Sequence, residues 1–249
     1  MIHSYEHTTY FREAEQDGYI GARGYFGYFQ DGVTGLLNLV DKGNVTLVEK
    51  YRAPWIFLRY RMHFVREIGY DHRVRVESWC EKRPSKRTLW LATTISVEGE
   101  PVACGRLEAW VFDLDTMRPA LMDFIDFPYE MEEDRDPVSV SFERLPKKSD
   151  GMREVYAAPV RYTDLDKTRH MNNLLYVNRF LDAFDADFYD AWRPTDMEVH
   201  FLSQCYEGER VGIWEKTDEA NPRRHILLAT HEDGQPAAQC ALYVEPRHR

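Results

Sequence analysis

No run of about 18 consecutive apolar residues, the length that a membrane-spanning helix needs, occurs in this sequence, so no membrane-crossing segment is expected. Cysteine is scarce. The four residues, Cys80, Cys104, Cys205 and Cys240, show no CxxC spacing, and each sits in an apolar or strand-like run, a pattern that reads as thiols in a reducing compartment. The start of the chain, MIHSYEHTTYFREAEQD, lacks the charged-then-apolar order of a secretory signal, and Glu6, Glu13 and Glu15 disfavour a transit peptide. The expected location is the cytoplasm. An excess of cations is missing too: 32 Lys and Arg against 42 Asp and Glu give a net charge of -10, whereas a nucleic-acid footprint needs clustered positive charge. Nucleic acid is therefore not an expected partner. One local exception, Lys82, Arg83, Pro84, Ser85, Lys86 and Arg87, reads first as a solvated basic turn.

What is present is a substantial apolar inventory, 43% hydrophobic and 14% aromatic in 249 residues. A chain of that size buries roughly 70 to 75% of its unfolded surface. A first strand is expected near His3 to Phe11. Gly18, Gly21 and Gly24 then lead to a helix from about Tyr25 to Val40, with Tyr25, Phe29, Val33, Leu36, Leu37 and Val40 on one face and Gly43 as its stop. Gly27, Gly32 and Gly35 weaken that helix unless a sheet packs closely on it. Strand-like runs with period-two alternation follow at Leu58 to Phe64, Arg73 to Cys80, Leu89 to Val97 and Val102 to Phe112. Pro119, Pro128, Pro137 and Pro146, with a cluster of acidic residues, then mark a connecting segment.

After it the order recurs. A strand near Val155 to Tyr162 precedes a charged turn, a helix from about Asn173 to Tyr189, and strands at Glu198 to Tyr206, Arg210 to Lys216, His225 to His231 and Ala237 to Val244. Tyr25 and Tyr176, Phe29 and Phe180, and Asp31 and Asp182 fall in register, so the chain reads as two copies of one strand, helix and antiparallel-sheet unit, an α+β class. The stretch VRYTDLDKTRHMNNLLYVNRFLDAFDA, residues 160–186, is the densest in chemistry. Asp164, Asp166 and Thr168 crowd the turn before the second helix, whose N–H groups and positive dipole end suit a developing oxyanion.

The order strand, D-L-D-x-x-x-H-x-N-N, then Tyr on a helix resembles the acyl-acyl carrier protein thioesterases of bacteria and plant plastids. The resemblance implies a double hot-dog fold, two tandem repeats in which a long helix is wrapped by a curled antiparallel sheet. It places a first repeat at residues 1–122, a linker at 123–153 and a catalytic repeat at 154–249, with the acyl-chain pocket in the first. It implies hydrolysis of fatty acyl-carrier thioesters, an acyl carrier protein with a phosphopantetheine-linked acyl chain as partner, no cofactor and no metal, and it allows a homodimer. By position, the family's catalytic aspartate falls on Asp166 and its histidine on His170. Its asparagine falls on Thr168 and its glutamate on Gln204, the residue before Cys205 in QCYEGER, so both are departures.

A thioester is already activated, so hydrolysis needs a nucleophile, a base and an oxyanion site rather than a metal. His170 suits the base by its ordinary pKa, and Asp166 either orients the imidazole or attacks the carbonyl. Asn172 and Asn173 either mark the oxyanion site at the helix N-terminus or only cap it. Arg169 and Leu175 stand where a calcium loop needs Gly and Glu. Cys205 reads as a small core residue rather than a nucleophile. Met62, Trp90, Trp110 and the aromatic face of the first helix either fill the core or line an acyl tunnel. Lys82, Arg83, Lys86 and Arg87 are the candidate docking surface for an acidic carrier protein. The rival readings are an acyl-CoA thioesterase on the same fold and a non-catalytic acyl-binding protein.

Overall fold

The computed structural model describes residues 1–135 and 142–247, and Pro137 of the expected linker lies outside them. The chain divides into two compact units, Met1–Ser141 and Phe142–Arg249, so the expected connecting segment is shared between them.

The first unit opens with β1 (Ile2–Thr8) and α1 (Ala22–Leu39), followed by a short α2 (Asn44–Tyr51), then β2 (Trp55–Phe64), β3 (Arg73–Glu81), β4 (Leu89–Val97) and β5 (Glu100–Asp113). The strands pair antiparallel in the order β1-β3-β4-β5-β2, with α1 against β1, β3 and β4. The proline-rich stretch is not structureless: β6 (Arg118–Pro119) pairs with β5, and β7 (Glu132–Glu133) lies parallel to β3. The first helix begins three residues earlier than its apolar stripe suggested, because Gly21 is its N-cap and Gly24 lets it approach Ile20. Phe29, Val33 and Leu36 are fully buried on its inner face, each contributing roughly 1.5–3 kcal/mol.

Two of the three helix glycines have the role expected of them. A Cβ on Gly32 would come 2.3 Å from Ser78 Oγ, and one on Gly35 would come 2.3 Å from His3 Nε2. Gly27 has open space around it, so close packing does not explain it. Gly43 ends nothing by itself but serves as N-cap of α2, a helix that went unread because its only buried residue is Leu47. The sheet alternation separates Met62 from Trp90 and Trp110. Met62 pairs with Gly105 on the helix side, whereas Trp90 and Trp110 share the opposite face with Glu108, so the three do not line one tunnel. On that opposite face Arg59 and Trp90 Nε1 both donate to Glu108, while Arg106 donates to Glu81 and covers the Trp90 ring.

The second unit contains β8 (Arg153–Pro159), α3 (Asn173–Leu181), α4 (Ala186–Ala191), β9 (Trp192–Phe201), β10 (Arg210–Asp218), β11 (Asn221–Thr230) and β12 (Pro236–Pro246). Its strands pair antiparallel in the order β9-β12-β11-β10-β8. The single helix expected to reach Tyr189 is broken, because Asp185 caps a new helix by accepting from Phe188 N at 2.9 Å. Phe184 and Phe188 then stack at 4.3 Å and meet the His225 ring instead of extending the α3 stripe. β9 also ends sooner than expected, at Phe201. Leu202 N and Ser203 N both donate to Ala237 O, so one carbonyl serves two residues and the alternation is lost before Gln204.

The repeat extends beyond the helices into the turns. With the offset that separates Tyr25 from Tyr176, the 3-10 turn Phe11–Glu13 matches Tyr162–Asp164, and the bridge Ala14 to Ile20 matches Leu165 to Met171. Gly18 at φ 82° matches Arg169 at φ 67°. The same carboxylate closes each turn: Glu13 accepts from Tyr10 N, and Asp164 from Arg161 N.

Candidate active site

The turn between β8 and α3 is held from below by Arg179. This buried side chain on α3 donates to Ala158 O at 2.8 Å, Pro159 O at 3.0 Å and Asp164 Oδ2 at 2.9 Å, joining helix, strand and turn. Asp164 is thus a structural anchor, and its own carbonyl accepts from Asn172 N. Sequence reading missed Arg179, since a cation in the middle of an apolar helical stripe reads as the polar side. Its signal was the position equivalent to Tyr28 in the first copy, where Glu13 lies against that tyrosine.

Above this anchor the backbone reverses, with Asp166 N donating to His170 O and Arg169 N to Asp166 O. The reversal brings three of the predicted side chains together. Thr168 donates through its backbone N to Asp166 Oδ1 at 2.7 Å, and its hydroxyl meets the same oxygen and His170 Nδ1, the latter at 2.7 Å. The direct His170 to Asp166 separation is 3.8 Å, so the hydroxyl is the bridge. A threonine hydroxyl has one proton, and the carboxylate can only accept. That proton therefore goes to Asp166, His170 Nδ1–H donates to Thr168 Oγ1, and the lone pair of His170 lies on Nε2. This is the tautomer a general base requires.

Gln204 does not touch this group. Its Oε1 accepts from Tyr206 OH at 3.1 Å, and the Tyr206 ring stands edge-on to His170 at 5.8 Å, so Gln204 reaches His170 only through a tyrosine that was not singled out. The strand expected to reach Tyr206 ends at Phe201, so Gln204 is not carried on a strand face with Glu198 and His200. Cys205 is fully buried, as expected of a core thiol, and burial pushes its pKa up. It is tied to the turn by Met171 N donating to Cys205 O.

At the start of α3, Asn172 is the N-cap, its side chain accepting from Leu174 N at 2.9 Å. Leu175 N donates to Asn172 O, and the Asn173 N–H has no backbone acceptor among the described residues outside the helix. Far from this turn in sequence, Lys82, Lys86 and Arg87 are exposed, whereas Arg83 pairs with Glu132 at 3.3 Å and lies 3.4 Å over the Tyr129 ring. Only three of the four expected docking cations point freely outward.

Two tandem units, each a helix against an antiparallel sheet, with an ionisable turn at the head of the second helix, define a double hot-dog protein. Residues 147–243 match the family model of the acyl-ACP thioesterase C-terminal domain, which bears out the resemblance drawn from the turn motif. An oleoyl-acyl carrier protein thioesterase of Arabidopsis thaliana chloroplasts is 22% identical over 177 residues, 67% of this chain and 49% of that protein. The chain thus spans about half the length of this curated relative. Among solved structures, an acyl-ACP thioesterase from Bacteroides thetaiotaomicron superposes with a TM-score of 0.87 at 16% identity, covering 98% of each chain. The 12:0-ACP thioesterase of Umbellularia californica does so at 0.84 and 15%, covering 99% of this chain and 98% of that one. At these identities the likeness establishes the fold.

Proposed function

We propose that the chain hydrolyses fatty acyl-acyl carrier protein thioesters, releasing the fatty acid and ending its synthesis. The observation that carries this reading is the Asp166–Thr168–His170 relay at the head of α3. His170 Nε2 takes a proton from water, which attacks the thioester carbonyl. The developing oxyanion is held by the Asn173 N–H at the positive end of α3. Collapse expels the carrier's phosphopantetheine thiolate, which takes the proton back from His170. Asp166 orients rather than attacks, because its Oδ1 already accepts two hydrogen bonds from Thr168. The second unit supplies the chemistry and the first takes the acyl chain along the apolar side of α1. No helix is long and apolar enough to cross a membrane, among the described residues. A cytoplasmic location rests on four cysteines of which none is in a disulfide.

The test is release of free fatty acid from purified chain, comparing carrier-protein with CoA thioesters of one acyl group. A preference for the CoA substrate would assign the rival thioesterase activity, and binding without release would assign a non-catalytic role. Carrier proteins of this kind are acidic, so the exposed Lys82, Lys86 and Arg87 are the docking surface. Charge reversal at Lys86 and Arg87 is expected to raise KM for the carrier substrate about tenfold and leave the CoA substrate within twofold, with added salt narrowing the gap. Equal effects on both substrates would remove the docking role.

Gln204→Glu preserves the acceptor for Tyr206 OH and adds the carboxylate that the family places here. With water as nucleophile, kcat on the carrier substrate is expected to rise. An unchanged or lower kcat at every pH tried would mean that this chain's chemistry never uses that carboxylate.

A further inference from the structure

Behind the turn, a second group of side chains has no part in the proposed reaction. Cys205 Sγ lies 3.8 Å from His231 Nδ1, and His231 Nδ1 lies 3.3 Å from Glu209 Oε2. All three donor atoms fall within 4.8 Å of one another. With zinc-ligand bonds of about 2.0–2.3 Å, a tetrahedron has a sulfur-to-nitrogen edge of about 3.6 Å and a nitrogen-to-oxygen edge of about 3.3 Å. Two of the observed spacings, sulfur to nitrogen and nitrogen to oxygen, are close to those edges, and the third lies within 4.8 Å.

The surroundings orient each donor as a ligand. His231 Nε2 meets Ser203 Oγ at 2.7 Å, and Ser203 Oγ donates to Pro236 O at 3.0 Å. The single hydroxyl proton is spent on that carbonyl, so the imidazole must donate Nε2–H to Ser203, which leaves the lone pair of a neutral ring on Nδ1. It also means that Ser203 is not held as a nucleophile. Nδ1 then faces both the Glu209 carboxylate and the Cys205 thiol, three donor atoms converging on one point. A proton on Nδ1 would serve the carboxylate, whereas a metal ion would take all three donors at once. Glu209 Oε2 is held by Tyr206 N at 3.1 Å, and the Tyr176 hydroxyl stands against Cys205. A ligand histidine fixed through its other nitrogen is the arrangement that metal sites use.

We propose that Cys205, Glu209 and His231 bind one zinc-class divalent cation, leaving a fourth position to solvent. One thiolate, one imidazole and one carboxylate favour zinc over calcium or magnesium, which take oxygen ligands. The ligand loop is also the segment on which the catalytic turn rests, through Met171 N to Cys205 O and the bridge between His170 and Tyr206. Occupancy therefore stiffens the support of His170 without entering the reaction.

The full chain, stripped with a chelator, is titrated with zinc and separately with cobalt(II). One equivalent is expected to saturate it, cobalt giving a thiolate-to-metal charge-transfer band and zinc raising Tm by about 5 °C at a hundredfold excess over Kd. Cys205→Ser removes the band. Glu209→Gln, a change at a partly exposed side chain that leaves the core intact, weakens binding at least tenfold. Ser203→Ala, a positioning change, weakens it about 10- to 100-fold while keeping the band and the one-to-one ratio. No saturable binding by the parent chain would overturn the site, as would affinities of Cys205→Ser and Glu209→Gln within twofold of the parent.

Discussion

His170→Ala is expected to lower turnover of a long-chain acyl-carrier thioester by about 10² to 10⁴, the usual worth of a positioned general base, while the chain stays folded. The side chain is part-exposed and makes no contact that the anchor below it depends on. Thr168→Val tests the relay rather than the base. It removes the hydroxyl between Asp166 and Nδ1 at nearly constant volume, so the ring is free to take either tautomer. Turnover should fall about tenfold or more with KM little changed. Near-parental hydrolysis by His170→Ala would mean that the chemistry lies elsewhere. Near-parental hydrolysis by Thr168→Val alone would leave the base in place and remove the bridge.

The second large effect is structural. Arg179→Met fills a similar volume but leaves Asp164 without its cation and removes one donor from each of two carbonyls, those of Ala158 and Pro159. Breaking a buried ion pair from one side costs about 3–5 kcal/mol, equivalent here to a fall in Tm of roughly 10 °C. Arg179→Met, Asp164→Asn and the double variant form a cycle followed by thermal unfolding. The double variant should lose clearly less than the two single losses added together, because each single change removes the same contact. Additive losses would show that Arg179 and Asp164 act independently.

These two sites differ in how far the sequence exposed them. Asp166 and His170 were legible because a turn rich in caps sat directly before an apolar helical stripe, and both signals are local. The relay through Thr168 was not. Read as a departure from an expected asparagine, the residue looked like a loss, and only the 2.7 Å contact with Nδ1 shows the hydroxyl standing between acid and base. Gln204 was misplaced for a related reason: period-two alternation continued on paper past Phe201, but Leu202 and Ser203 share one acceptor on the neighbouring strand. The break of the second long helix was written in Asp185, a strong cap whose claim lost to the longer apolar pattern. The cluster joins the β9–β10 connection, which carries Cys205 and Glu209, to the β11–β12 turn, which carries His231, 26 residues beyond Cys205, so no spacing rule pointed to it.

The paired turns have an evolutionary consequence. At the positions of Asp166, Thr168 and His170, the first copy has Glu15, Asp17 and Tyr19 in the same backbone geometry. In a symmetric pair of separate chains, every substitution appears twice, and a change that suits binding in one place must be tolerated by chemistry in the other. Fusion into one polypeptide breaks that symmetry. One turn is then free to change while its twin keeps the histidine, so that either can be altered without altering the other.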